Sequence, residues 1–275
     1  MIVDYHVHTP YCGHAQGQII QYVQTAVQRG IKEIGFADHL GRYYLSKVQK
    51  RRYWDWGMND RNLARYFSEL DDLKDIFSGQ IKIKVGLEID FIEGADELLH
   101  KTIENYALDF SLGSVHCLPR ISWDHLSDIH ETHTDATYAE YFRVVNAALK
   151  SKLFQSIAHI DFIWRYLPLP AKDPDIIFAY IDEAVKTAAV NDTCIEVNAN
   201  GFMWAQAHMV DKNDLFFYLL NQIRDNNVKI TIGSDAHEPF LVGKAFQPLI
   251  KALQEHGITN VCSFTDGVTT IIPLG

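Results

Sequence analysis

The chain has 275 residues, of which 47% are hydrophobic and 22% charged, and its formal net charge is −10. That balance excludes a broad cationic face, so no nucleic-acid partner is expected. No apolar run reaches the length of a bilayer span, so no membrane partner is expected either. The N-terminus has no basic segment followed by an apolar stretch, and Cys12, Cys117, Cys194 and Cys262 show no paired spacing. Both features predict a cytoplasmic protein with free thiols, folded as one domain over 1–275.

Short β-branched runs alternate with amphipathic stretches along the chain. A strand is expected over 1–6. A helix over 17–30 follows, with Ile19, Val23 and Val27 on one face and Gly30 as its stop. The second strand spans 33–38. The stretch 42–59 is aromatic and basic and reads as a loop over the functional end. A helix over 59–77 carries Leu63, Phe67, Leu70, Leu73 and Phe77 on one face. Strands over 82–90 and 109–116 come next, then a polar loop holding His125, His130 and His133. A strand is expected over 156–161. The helix over 173–190 has Pro174 at its first position and a stripe of Ile177, Ile181, Ala184, Val185 and Ala188. A strand over 194–200, a helix over 213–227, a strand over 229–235 and a helix over 240–256 interrupted by Pro248 complete the pattern. Seven strand–helix units predict a parallel α/β sheet closed, or nearly closed, into a barrel.

The C-terminal tips of these strands carry unusual chemistry. The first ends at His6, with His8 and His14 just beyond. The second ends at Asp38 and His39, the third carries Glu88 and the fourth ends at His116. The fifth offers His159 and Asp161. The sixth offers Glu196, Asn198 and Asn200, and the seventh Asp235 and His237. In a parallel barrel these tips share one face. A single histidine at a strand end is ordinarily a packing or capping residue, and a lone HxH is weak. Seven histidines with carboxylates at one mouth are the donor set of Zn, Mn or Fe. HxH on an extended segment also sends both imidazoles the same way. His100, His208 and His256 read as surface positions on helices.

The order HVHTPYCGHA, ADH, GLEIDFIEG, SVH, HID and SDAH resembles the PHP (polymerase and histidinol phosphatase) family, and most closely its histidinol-phosphatase branch. The resemblance runs from His6 to His237 and implies a distorted (β/α)7 barrel with a trinuclear centre of divalent transition metals, Zn, Mn or Fe. By position, His6, His8, Glu88 and Asp235 would hold a first ion. Glu88 would bridge to a second with His116 and His159, and His14, His39 and His237 would hold a third. If His14 and His39 serve only to support other ligands, the count falls to two ions.

The implied activity is hydrolysis of a small phosphorylated substrate by a water that the ions activate, with Glu88, Asp235 and His237 in the catalytic centre. Cys12 has no base beside it and reads as a packing residue. Asp161 is a candidate for the leaving-group proton or for orienting His159. Arg165 and Arg120 are candidates for gripping phosphate. Trp123, Asp124, Trp54, Asp55 and Trp56 are candidates for the organic end of the substrate. One stretch departs from the branch: EVNANGFMW (196–204) lacks the basic residue expected there. That keeps other phosphate esters or nucleotides open as substrates. A non-catalytic metal-binding domain and an amidohydrolase are the remaining alternatives.

Overall fold

The computed structural model describes residues 1–41, 57–129, 134–170, 172–207 and 210–275. Its elements run β1 (Val3–Val7), α1 (Ile19–Gln28), β2 (Glu33–His39), α2 (Asp60–Ile76), β3 (Lys82–Asp90), α3 (Asp96–Glu104), β4 (Phe110–Ser114), β5 (Cys117–Leu118), β6 (Ser122–His125) and α4 (Thr134–Ser151). There follow β7 (Ser156–Ile157), α5 (Ile176–Asn191), β8 (Cys194–Asn198), α6 (Ala199–Ala207), α7 (Val210–Asp225), β9 (Ile230–Gly233), α8 (Phe246–Glu255), β10 (Asn260–Thr265) and β11 (Val268–Pro273).

All pairings in the large sheet are parallel, in the order β1-β2-β3-β4-β7-β8-β9. The chain beyond β9 returns to β1. Asp235 N donates to His6 O at 2.7 Å and His8 N to Ala236 O at 2.9 Å, with a parallel bridge between Val7 and Ala236. These bonds draw the sheet into a nearly closed seven-stranded barrel. Every residue of β1, β2, β4, β8 and β9 is buried, as expected for parallel strands covered on both faces.

The helices bury the stripes their sequences predict. Ile177, Ile181, Ala184, Val185 and Ala188 of α5 are all fully buried. In α1 the buried face is Ile19, Tyr22, Val23 and Ala26, with Val27 only partly covered. The C-terminal hairpin β10–β11 packs against the barrel through Phe264, whose ring centroid lies 4.9 Å from that of Tyr5. Tyr5 donates its hydroxyl to Glu33, which also accepts from Ser263 of β10 at 2.7 Å.

Four expectations are corrected. The strand expected over 156–161 stops at Ile157, because His159 takes a positive φ of 22° and a 3-10 turn, Phe162–Arg165, follows. The strand expected over 194–200 stops at Asn198, whose Oδ1 accepts from Asn200 N at 2.9 Å and Gly201 N at 3.4 Å and so caps α6. Pro174 precedes α5 by two residues. Pro248 does not interrupt α8: it sits in the first turn, where a missing N–H costs no intrahelical bond. Of the loop expected over 42–59, residues 42–56 lie outside the described residues, together with Trp54, Asp55 and Trp56; His130, His133 and His208 also lie outside them.

Candidate metal centre

Glu88 sits near the end of β3, in register with His39 on β2. Its carboxylate is fully buried, and five imidazoles face it. Oε2 lies 3.2 Å from His6 Nε2, 3.4 Å from His8 Nε2 and 3.1 Å from His39 Nδ1. Oε1 lies 3.3 Å from His116 Nε2 and 3.0 Å from His159 Nε2. Asp235 closes one side, with Oδ1 3.2 Å from His8 Nε2 and 3.7 Å from His6 Nε2. His237 Nε2 and His14 Nε2 stand 3.0 Å apart at the rim. All nine ligand candidates therefore gather at one end of the barrel.

A ring of polar contacts fixes these side chains. His6 Nδ1 donates to Glu196 Oε1 at 2.7 Å, and His116 Nδ1 donates to Asp90 Oδ1 at 3.0 Å. Glu196 Oε2 also accepts from the backbone N–H of His159 at 2.8 Å. Asp38 accepts from the backbone N–H and the hydroxyl of Thr9, which holds the turn after His8. Gly233 leaves room for this packing: a Cβ there would stand 2.3 Å from His6 Cβ and 2.2 Å from Glu196 Oε1. His159 and Asp235 carry positive φ values of 22° and 54°. Non-glycine residues hold such conformations where surrounding contacts impose them, commonly at functional sites.

These bonds test whether a metal fits. With Nδ1 carrying its proton to a carboxylate, His6 and His116 each present Nε2 as a lone pair. Both lone pairs point at Glu88, which in its ionised form is itself acceptor-only. A proton or a cation must lie between such atoms. His237 Nδ1 donates to Asp235 O at 3.0 Å, which leaves its Nε2 as a lone pair 3.0 Å from His14 Nε2. Nδ1 of His8 and Nδ1 of His159 are buried without a hydrogen-bond partner. Donor atoms sharing a tetrahedral ion at ~2.1 Å stand about 3.4 Å apart, close to the spacings around Glu88.

Triads with donors within 4.8 Å of one another are His6–His8–Asp235, His6–Glu88–His159, His39–Glu88–His116 and His8–His39–His237. A further triad, His8–Cys12–Asp38, uses a carboxylate already engaged by Thr9.

The charges suit the same task. Burial opposes the ionisation of Glu88, but His39, His6, His116 and His159 outweigh it and hold the carboxyl well below its usual range. Asp235 is held down likewise, by His6, His8 and His237 against burial. Burial lowers His8 to about 3 and takes His39 well below its usual value, so both imidazoles are neutral at pH 7, as a ligand must be. His6 moves the other way: burial opposes its charge, yet Glu196, Glu88 and Asp235 together raise it.

Above the cluster lies a cavity of about 260 Å3, lined on one side by His125, Phe162, Arg165, Tyr166 and Asn200. Arg165 Nη2 donates to Asn198 Oδ1 at 3.1 Å, and Nη1 lies 3.7 Å from Asp235 Oδ2. Its Nε is buried without a partner. Arg165 is thus where its sequence position suggests. Arg120 is not: it is 61% exposed, pairs with Glu93 at 2.8 Å, and does not line the cavity. Trp123 packs half-buried against the core on β6, and Asp124 on the same strand accepts from Ser122; neither lines the cavity.

Asp161 does not hydrogen-bond the His159 ring, whose Nδ1 has no partner. Its carboxylate packs on Gly201, where a Cβ would stand 1.8 Å from Oδ2, and it lies 4.0 Å from Arg165 Nη2. Cys12 is buried, which pushes its thiol up to about 12.

Sequence reasoning gave no orienting role to Glu196 or Asp90, and no role to Phe162 or Tyr166. Asp90 was findable, because Glu88-x-Asp90 repeats the period-two spacing that pairs His6 with His8. His125, expected in a polar loop, instead ends β6, with its ring centroid 5.6 Å from that of His116.

A model of the PHP domain matches residues 4–200. The histidinol-phosphatase of Bacillus subtilis is 26% identical over 90% of this chain and 98% of its own length. A Deinococcus radiodurans protein named as a probable histidinol-phosphatase is 28% identical over 93% of this chain and 94% of its own. Among solved structures, the histidinol phosphate phosphatase of Lactococcus lactis, complexed with Zn, L-histidinol and phosphate, superposes with a TM-score of 0.80 over 98% of both chains at 22% identity. That likeness shows a shared fold.

Proposed function

The chain belongs to the PHP domain family, and from that premise we propose that it is a metal-dependent phosphomonoesterase acting on histidinol phosphate. The observation that carries this reading is the buried Glu88 carboxylate faced by five imidazole nitrogens, beside a cavity with one arginine in its wall. The proposed ligands are His6, His8, His14, His39, Glu88, His116, His159, Asp235 and His237, holding three divalent ions of Zn, Mn or Fe. When bound, such ions supply positive charge for the phosphoryl oxygens and make a water acidic enough to attack at neutral pH.

The chain's own residues do the rest. Glu88, with one oxygen toward His116 and His159 and the other toward His6, His8 and His39, ties the two halves of the cluster together. Glu196 and Asp90 hold His6 and His116 with their Nε2 lone pairs inward. Arg165, steadied by Asn198 and Asp161, has a buried Nε–H to offer a phosphate oxygen. His125, Phe162 and Tyr166 form an aromatic wall suited to an amine and an imidazole, by stacking and cation–π contact. Arg165 reaches the tip of β8 from the 3-10 turn, so it stands in for the basic residue that EVNANGFMW lacks.

A second reading, another small phosphate ester, rests on α6, where Phe202, Met203 and Trp204 stand and Ala199–Ala207 includes no basic residue. Rates of phosphate release over a panel of phosphomonoesters, for wild type and Arg165→Ala, test both. Histidinol phosphate is expected to have the highest kcat/KM, with a drop of about 10- to 100-fold in Arg165→Ala, the value of one charged hydrogen bond. A higher kcat/KM for a different ester selects the second reading. No release from any ester overturns both.

A further inference from the structure

Away from the metal centre, two cysteines meet. Cys194 opens β8, two residues before Glu196, and Cys262 lies within β10 of the C-terminal hairpin. Their sulfurs are 3.3 Å apart, with the Cys194 thiol donating to Cys262. Both are buried, at 0% and 1% exposure, yet Cys262 lines a surface cavity of about 390 Å3 together with Asn227, Lys229 and Asn260. The Lys229 ammonium, bound to Asp192 at 2.8 Å, flanks the pair. A disulfide needs sulfurs at ~2.05 Å, so closure asks for a shift of roughly 1.2 Å.

We propose that Cys194 and Cys262 are an oxidation site, a dithiol that hydrogen peroxide converts to a disulfide stapling β8 to the C-terminal hairpin. The polarity of the pair sets the order of events. The hydrogen bond from Cys194 and the charge of Lys229 favour the thiolate at Cys262, whereas donating that bond and burial hold the Cys194 thiol up. Cys262 loses its proton and attacks one peroxide oxygen, breaking the O–O bond and leaving a sulfenic acid and hydroxide. The hydroxide takes the proton just released and becomes water. Cys194 then attacks the sulfenic sulfur. The S–S bond forms, and the sulfenic hydroxyl leaves as a second water with the Cys194 proton. Two thiols are oxidised and one peroxide is reduced to two waters. The cavity gives the peroxide a path to Cys262, the sulfur the first step needs. Cys12, by contrast, has His14 Nε2 3.9 Å from its sulfur.

The staple encloses a long loop, so its effect falls on the unfolded chain and the oxidised protein should melt higher. The test exposes the full-length protein to hydrogen peroxide, alkylates remaining thiols in denaturant and maps the peptides. The expected result is a linked Cys194–Cys262 peptide with Cys12 and Cys117 alkylated. A melting temperature raised by about 5 °C or more, reversed by dithiothreitol, should accompany it. Cys262→Ala should remove both the link and the rise. The proposal is overturned if Cys194 and Cys262 are both recovered alkylated, if Cys262 is driven to sulfinic acid with no link, or if the linked protein melts no higher. Should Cys262→Ala not fold, the wild-type peptide map decides alone.

Discussion

Glu88 meets so many imidazoles because β3 lies between β2, which ends at His39, and β4, which leads into His116. Removing its charge while keeping its shape should therefore cost more than removing any one histidine. Losing a partner that merely orients a ligand costs about 10- to 100-fold in metal affinity or activity. Glu88→Gln is expected to lose more than about a hundredfold in kcat/KM and to bind less metal, read by phosphate release and elemental analysis of the same sample.

Glu196→Gln should fall within that 10- to 100-fold range. The amide oxygen can still accept one bond, but its NH2 would face the N–H of His6 or of His159. Cys12→Ser should keep most of its turnover, because a thiol held up to about 12 stays protonated at neutral pH. A loss as large as that of His6→Ala would instead require a thiol mechanism.

At this scale the ligand candidates were legible because each ends a strand or follows one closely. The contacts of Glu196 with His6 and His159 depend on distances between strands, which a linear pattern does not encode.

The strands and helices were legible where one force dominated. The α5 stripe is an apolar period with no competing polar use, and all five of its residues are buried. Ile181→Ala should cost about 2–5 kcal/mol, checked by denaturant unfolding. Elements ended early where a side chain or a strained residue took over the backbone. Asn198 caps α6 instead of prolonging β8, and the positive φ of His159 turns the chain out of β7. Gly233 belongs to the same class, since its need appears only when β9 and β1 are side by side. Gly233→Ala should destabilise by about 1–3 kcal/mol, as overpacking does, and should lower metal content because the displaced atoms belong to His6 and Glu196.

Across the whole molecule, a chain of net charge −10 places the buried carboxylates of Glu88 and Asp235 at one end of a barrel, among imidazoles. Cations at that end would convert an acidic surface into a local trap for a phosphate dianion. The barrel itself was legible from seven apolar runs, and its closure comes from the bonds that join residues 235 and 236 to β1. Among the described residues no helix is long and apolar enough to cross a membrane.

Because metal would bind the folded chain and not the unfolded one, stripping it should lower the melting temperature; free metal at a hundred times its dissociation constant is worth about 2.7 kcal/mol per site. The most direct test of metal-dependent hydrolysis is elemental analysis of the purified protein, paired with its rate of phosphate release before chelation, after chelation and after adding back Mn or Zn. The account predicts two or more transition-metal ions per chain, activity abolished by the chelator and activity restored by the metal. Undiminished phosphate release from protein without stoichiometric metal would contradict it.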